Sequence, residues 1–211
     1  MRVSILPLML LAGLLPIRGI AQEPVAPGQA EQEPVYVFGT TVVIPSGLKG
    51  IIYYIHSAKR LQELEKEKPR WAIYTSSLNV PPQSYTLGFP GISDRLEWFA
   101  IDYTGKFWID KPGEYRWELT SDDGSMLFID DKLVIDNGGL HAPVTLRGKV
   151  QLSGGIHSIR VPYFQGIKYT VALVLKVAGP GQSFRVFSTE DFKPPANPET
   201  WKYPEAPSKA K

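Results

Sequence analysis

The chain has 211 residues, a length that suits one domain with tails better than two full domains. It contains no cysteine, which excludes disulfides, zinc–thiolate sites and cysteine nucleophiles. Beyond residues 1–21, basic and acidic residues are equal in number, and this balance argues against a nucleic-acid partner, which requires a dense basic surface.

The first segment, residues 1–21, has the features of a signal peptide. Arg2 supplies a positive charge, the run Ile5–Leu15 is apolar, and Gly19 and Ala21 are small residues where a signal peptidase reads them. The apolar run is shorter than the roughly 20 residues that span a bilayer, and an uncleaved anchor is the alternative. We therefore expect a protein that is secreted or held in the periplasm or cell envelope, without membrane insertion after cleavage.

Two polar stretches flank a β-rich region. Residues 22–34 are mostly Gln, Glu, Pro, Ala and Gly, which predicts a disordered spacer. Residues 189–211 are rich in proline and charge, which predicts a C-terminal tail. The intervening residues 35–188 are expected to form the folded domain.

The first half of this domain shows β-rich runs broken by glycine and proline. The predicted strands are Val35–Phe38, Thr40–Ile44, Gly50–Ile55 and Trp71–Leu78. The stretch Pro81–Gly91 predicts a loop because its prolines and glycines interrupt any strand pattern.

One segment of the first half has a helical pattern. Ser57 is a suitable N-cap, Leu61 and Leu64 are three residues apart, and Pro69 ends the pattern. The segment is short and highly charged, so we expect one short surface helix over 57–68.

The second half alternates more clearly. In Glu114–Leu119 the apolar side chains share one face and the charged ones the other, which predicts a half-buried strand. Asp130–Lys132 and Ser153–Gly155 are expected to be hairpin turns. Many short strands between such turns predict an all-β sandwich or a barrel. The other predicted strands are Trp98–Tyr103, Gly105–Asp110, Met126–Ile129, Leu133–Ile135, Val150–Leu152, Ile156–Tyr163, Tyr169–Val177 and Phe184–Phe187.

An acidic turn, Ser121–Ser125, follows the half-buried strand. Asp122 and Asp123 are adjacent and Gly124 comes next. Two carboxylates followed by a glycine suit a hard cation such as calcium, which prefers oxygen ligands and a tightly turned backbone. The same residues also occur in plain turns, so a purely structural turn is the alternative.

The ordered motifs around this turn resemble those of the PA14 family, the β-sandwich domain found in anthrax protective antigen. The likeness extends from about Gly47 to Phe187, and the resemblance implies an all-β fold, an antiparallel β-sandwich of the jelly-roll type. The motifs that carry it are Gly105–Phe107, Pro112–Tyr115, Ser121–Asp130, Leu133–Asn137, Gly155–Val161 and Tyr163–Gly166.

Sugar-binding members of this family hold a calcium ion on paired aspartates joined by a cis peptide, and the ion binds sugar hydroxyls. The resemblance therefore implies that Asp122 and Asp123 hold Ca²⁺. The second ligand-bearing loop of the family matches Gln165–Lys168, where Gln165 would offer a side-chain oxygen and Gly166 a carbonyl oxygen.

Two further residues are expected to line the ligand site. Lys168 belongs to the second loop, and Asn137 opens the polar stretch after a predicted strand. The loop carries no carboxylate, and the positive charge of Lys168 lies close to the proposed ion; in both respects it departs from the family pattern.

Among the histidines, His157 alternates in phase with core residues, which predicts a hydrogen-bonded core histidine. His141 follows a polar loop and is expected either to be solvated or to line the ligand site. No histidine has a metalloprotease spacing, and no Gly-x-Ser-x-Gly motif is present.

Together with the resemblance, these observations predict a module that binds a carbohydrate, another polyol or a glycoconjugate and is not an enzyme. Two alternatives stay open. The first is a structural or adhesive protein-interaction domain without a small ligand. The second is a glycan-processing enzyme, because paired carboxylates can meet across a sheet.

Overall fold

The computed structural model describes residues 47–57, 61–167 and 169–194. Within these ranges the chain forms eleven strands and two short 3₁₀ helices, Leu61–Lys66 and Tyr85–Leu87, and no helix is long and apolar enough to cross a membrane. The signal peptide, the spacer and the strands predicted before residue 47 lie outside the described residues. The strands are β1 (Leu48–Tyr54), β2 (Pro69–Thr75), β3 (Asn79–Ser84), β4 (Phe99–Ile109), β5 (Gly113–Asp122), β6 (Ser125–Ile129), β7 (Lys132–Asn137), β8 (Val144–Leu152), β9 (Gly155–Gln165), β10 (Thr170–Ala178) and β11 (Arg185–Val186).

The strands form two antiparallel sheets, which confirms the predicted all-β sandwich. The six-stranded sheet has the order β2-β1-β4-β9-β6-β7, and the other has the order β11-β10-β5-β8 with β3 also paired to β10. The longest ladder joins β4 to β9 over eleven residue pairs. Because β5 and β9 are inner strands of different sheets, their ends are held firmly at one end of the sandwich.

The core lies between the sheets and is rich in aromatic rings. Trp117 of β5 is fully buried, and its ring meets Phe107 of β4 edge-on at 5.9 Å. Phe187 packs on both rings. Phe192, which the sequence assigns to the tail, stacks on Phe187 at 5.4 Å, so the start of the tail packs against the sandwich.

The segment expected to form a helix over 57–68 contains a shorter helix of a different type. Leu61–Lys66 forms a 3₁₀ helix, and no α-helix occurs in the part of the chain that the structure describes. Leu61 and Leu64 are buried in a small apolar cluster with Ile55 and Phe164. The two leucines extend the core beside β9, while Lys66 at the end of the helix is exposed, so the helix lies on the sandwich with its apolar side buried.

Two other expectations are corrected. The stretch predicted as a loop, Pro81–Gly91, overlaps the end of β3, a strand with two prolines that pairs with β10 alone among the described strands, as proline in an edge strand permits. The turn Ser153–Gly155 does not close a hairpin, because β8 pairs with β5 while β9 pairs with β4 and β6. It carries the chain from one sheet to the other.

The buried position of Leu64 gives a test of this packing. We expect Leu64→Ala to lower the free energy of unfolding by about 2–5 kcal/mol, because it leaves a cavity in the core. Leu87→Ala is the matched control, since Leu87 lies in the other 3₁₀ helix and is 72% exposed. Urea denaturation measures both, and an unchanged midpoint for Leu64→Ala would mean that the Leu64 side chain is not part of the core.

Candidate functional site

The acidic turn lies where the chain passes from one sheet to the other. Asp122 is the last residue of β5, and Ser125 begins β6. The peptide bond between Asp122 and Asp123 is cis, as the resemblance implies. Both aspartates are buried, with 6% and 4% of their surface exposed. The turn therefore places two adjacent carboxylates largely out of contact with water.

The Asp123 carboxylate is held by main-chain donors from two loops. The His141 N–H donates to Oδ1 at 3.0 Å, and the Gly166 N–H donates to Oδ2 at 2.8 Å. Gln165 Nε2 lies 3.4 Å from the same Oδ2. Since His141 lies between β7 and β8 and Gly166 between β9 and β10, Asp123 ties these two loops together.

Asp122 is tied to β9 through its carbonyl group. The Tyr163 hydroxyl lies 2.7 Å from the Asp122 carbonyl oxygen and 2.7 Å from Gln165 Oε1, and donates its one proton to this pair. Burial, with the two nearby carboxylates, raises the pKa of Tyr163 well above its ordinary value, so the hydroxyl stays protonated. Tyr163 thus links the acidic turn to the other sheet.

Burial changes the acidity of both carboxyl groups. It raises the pKa of Asp122 from 3.8 to about 6, and the neighbouring Asp123 charge adds to this. A hydrogen bond from Gln165 and the charge of His141 act in the opposite direction. Burial also raises the pKa of Asp123, against hydrogen bonds from the Gly166 and His141 amides. Burial therefore favours protonation of these carboxylates or the binding of a cation to them.

The second predicted loop meets the aspartates through its N–H groups. Gln165 is fully buried, and its Nε2 also faces the carbonyl oxygens of Ile167 at 3.1 Å and Thr170 at 3.0 Å. Its Oε1 faces Tyr163, so the amide would have to turn before that oxygen reached an ion at the aspartates. The Gly166 carbonyl accepts the Trp98 N–H at 3.1 Å.

The other predicted residues have different positions. Asn137 is buried, and its Nδ2 donates to Ser121 Oγ at 2.9 Å and to the Val144 carbonyl at 3.1 Å. It anchors the loop between β7 and β8 rather than presenting its amide to solvent. Lys168 lies outside the described residues. His157 is a hydrogen-bonded core histidine as predicted, with Nδ1 2.6 Å from Asp130 Oδ2.

Close packing around the turn requires glycine at positions 124 and 166. A Cβ atom on Gly124 would lie 2.4 Å from the Phe164 ring and 3.0 Å from the backbone of Gly139. A Cβ atom on Gly166 would lie 2.5 Å from Leu140 and 3.2 Å from Asp123 Oδ2. The glycines in the sequence hint at this contact, but only the structure shows which loops meet.

The loops on either side of the acidic turn carry exposed apolar side chains. Leu140 and Ile167 are about half exposed, and Tyr169 is 79% exposed. They belong to the same two loops that bind Asp123. Single exposed apolar residues are ordinary, but these three lie on the two loops whose amides bind Asp123, which suits a ligand with both polar groups and an apolar face.

The donor set limits what the turn can hold. Within the described ranges, no group of three or more His, Cys, Asp or Glu side chains is placed to bind a metal ion. The two aspartates supply up to four carboxylate oxygens, and the N–H donors to Asp123 leave lone pairs on both of its oxygens. A hard cation fits this pair, provided that a ligand or water supplies most of the remaining oxygens.

Comparison with known proteins agrees with this fold. Residues 89–186 match the PA14 domain family. A PA14 sugar-binding domain from an RTX adhesin is 18% identical, with a TM-score of 0.57, and the match covers 69% of this chain and 96% of that domain. The PA14 domain of the MpAFP antifreeze protein is 16% identical, with a TM-score of 0.58 and coverage of 74% and 94%.

Larger proteins share the same fold. An anti-sigma factor domain-containing protein from Clostridium clariflavum is 20% identical, with a TM-score of 0.57, over 72% of this chain and 48% of that protein. This chain thus spans about half the length of such proteins. No curated protein matches the chain. At these identities the structural likenesses establish the fold.

The raised pKa of Asp122 predicts a pH dependence of stability in the presence of a chelator. The folded protein keeps this proton up to about pH 6, whereas the unfolded chain loses it near pH 4, so stability falls as pH rises between these values. We expect a fall on the order of 1–2 kcal/mol, because solvent near the turn screens part of about 1.4 kcal/mol per pKa unit.

Asp122→Asn should remove this fall. Its free energy of unfolding, measured by urea denaturation, should exceed that of the wild type increasingly from pH 4 to pH 7. Asp131→Asn is the control, because Asp131 is an exposed aspartate in the turn between β6 and β7. A constant difference between Asp122→Asn and the wild type across this range would contradict the prediction.

Proposed function

This chain carries a PA14 domain, and from that premise we propose that it is a carbohydrate-binding module that binds sugar hydroxyls at the acidic turn and is not an enzyme. The observation that carries the proposal is the pair of buried carboxylates, Asp122 and Asp123, held by two loops that carry exposed apolar residues. The RTX adhesin domain with the same fold is described as sugar-binding. Secretion is part of the proposal and rests on residues 1–21.

The proposal includes calcium as the ion that neutralises the turn. Two desolvated carboxylates side by side repel each other, as the raised pKa of Asp122 reflects. A bound cation would remove both the repulsion and much of the cost of burial. Asp122 and Asp123 would hold it, and calcium supplies open coordination positions that vicinal hydroxyls can occupy in place of water.

The rest of the site supports a ligand with two kinds of surface. Sugars present hydroxyl groups at their edges and C–H groups on their faces. The carboxylates, or an ion bound to them, would bind the hydroxyl groups. The exposed side chains of Leu140, Ile167 and Tyr169 would contact the C–H faces. Asn137 contributes indirectly, because it holds the loop that carries Leu140.

Calcium should stabilise the domain. At a concentration of about 100 times Kd it should add about 2.7 kcal/mol and raise the melting temperature by roughly 5–10 °C. The variant Asp122→Asn/Asp123→Asn should show no such rise, and Asp131→Asn should behave as the wild type. Differential scanning calorimetry with calcium or with chelator makes the measurement. If calcium leaves the melting temperature of the wild type unchanged, calcium binding at the turn is refuted, whereas sugar binding without calcium is not.

Sugar retention tests the function itself. On a glycan array with calcium, the wild type should bind at least one class of glycan, and Asp122→Asn/Asp123→Asn should lose it while Asp131→Asn keeps it. Equal retention by the double variant would place the sugar site elsewhere on the domain. No retention of any glycan by a folded wild type would favour the adhesive protein-interaction alternative.

A further inference from the structure

A separate cavity of about 510 Å³ opens beside β1 and the start of β4. This volume lies within the range of small-molecule sites, which is about 300–1,000 Å³. Its lining combines two aromatic rings, an arginine, a glutamate, a histidine and two aliphatic side chains, namely Trp98, Tyr85, Arg95, Glu97, His56, Ile55 and Leu96.

Three polar side chains of this lining are not paired within the described residues. Those of His56, Tyr85 and Glu97 make no hydrogen bond or ion pair with the residues that the structure describes, whereas Arg95 does. Each carries a group that donates or accepts hydrogen bonds. All three residues line the same cavity, so their bonding capacity is available to a hydroxylated ligand.

Trp98 forms one wall in an uncommon backbone conformation. Its φ angle is 57°, which is in the left-handed region that bulky residues rarely adopt. Three hydrogen bonds hold it there: its N–H donates to the Gly166 carbonyl at 3.1 Å, and its carbonyl accepts the Ile55 N–H at 3.0 Å and Arg95 Nη1 at 3.1 Å. Such over-determined backbone strain occurs most often at functional sites.

Arg95 is a fixed part of the wall rather than a free charge. Its Nη1 also donates to the Ile55 carbonyl at 3.3 Å, and its guanidinium lies 4.2 Å from the centre of the Tyr54 ring. Glu97 brings a negative charge into the same lining. Opposite charges on one wall discriminate against strongly anionic and strongly cationic ligands, and favour a neutral one.

We propose that this cavity is a binding site for a neutral hydroxylated ring, such as a hexose, which it holds without a metal ion. The indole of Trp98 and the ring of Tyr85 supply faces for the C–H side of the sugar, and His56 and Glu97 bind its hydroxyls. The class of ligand rests on the proposed function, whereas the site and its residues do not include the acidic turn.

The cavity and the turn are close enough to serve one glycan chain. Gly166 donates its N–H to Asp123 and accepts the Trp98 N–H with its carbonyl. Gly166 therefore links Asp123 directly to Trp98, a residue of the cavity wall. A glycan of two or more rings bound at the turn can extend into the cavity, which would add affinity through a second attachment.

The test titrates the full chain with D-glucose, D-galactose, D-mannose and L-fucose in the presence of EDTA. The indole N–H signal of Trp98 in proton–nitrogen NMR spectra is the readout, and its loss in Trp98→Phe assigns it. His56→Ala and Glu97→Ala should each weaken binding by about fivefold or more, the effect of one lost hydrogen bond. Glu114→Ala is the matched control, because Glu114 is exposed at the opposite end of β5 from Asp122.

The acidic-turn variant separates this proposal from the previous one. If the cavity binds sugar, Asp122→Asn/Asp123→Asn keeps the Trp98 shift in EDTA. A shift that requires calcium, disappears in that variant and survives Glu97→Ala would overturn the cavity site and leave the acidic turn as the sugar site. No shift with any of the four sugars in EDTA would also overturn it, while array retention in calcium decides the proposed function independently.

Discussion

The end of β5 removes two adjacent carboxylates from bulk water, and the surrounding loops supply the donors that this removal requires. A buried carboxylate without hydrogen bonds is costly. The amides of His141 and Gly166 meet this need at Asp123, one on each oxygen. Because these donors are main-chain groups, the positions of two loops are set by the carboxylate, and glycine at position 166 keeps Asp123 Oδ2 accessible.

The sandwich makes this arrangement possible because it ends inner strands of both sheets at the same place. Asp122 ends β5, and Gln165 ends β9. The Tyr163 hydroxyl joins the two sheets here, through the Asp122 carbonyl. A site made from one sheet alone would depend on flexible loops, whereas this one rests on two long ladders and a close-packed core.

The local pattern of apolar and polar residues predicts most strands. Around Trp117 the alternation also shows which face of the strand enters the core. It does not determine pairing partners. The turn Ser153–Gly155 looks like a hairpin turn, yet its flanking strands join different sheets because β5 and β4 offer longer partners. Likewise the motif identifies Gln165, but its amide orientation follows from the carbonyls of Ile167 and Thr170 and from the distant carboxylate of Asp123, which only the fold brings near. The left-handed Trp98 leaves no local signal at all.

A raised carboxyl pKa is a frequent mark of a catalytic acid, yet ion-binding and structural pairs have it too. A proton-transferring group needs an oxygen that is free to approach the reacting atom. Asp123 has main-chain donors on both oxygens, which orient the group and restrict its movement. Asp122 keeps more freedom but has the other carboxylate as its neighbour. This arrangement is better suited to holding a charge in place than to passing a proton, and it is why we propose a binding role for the turn.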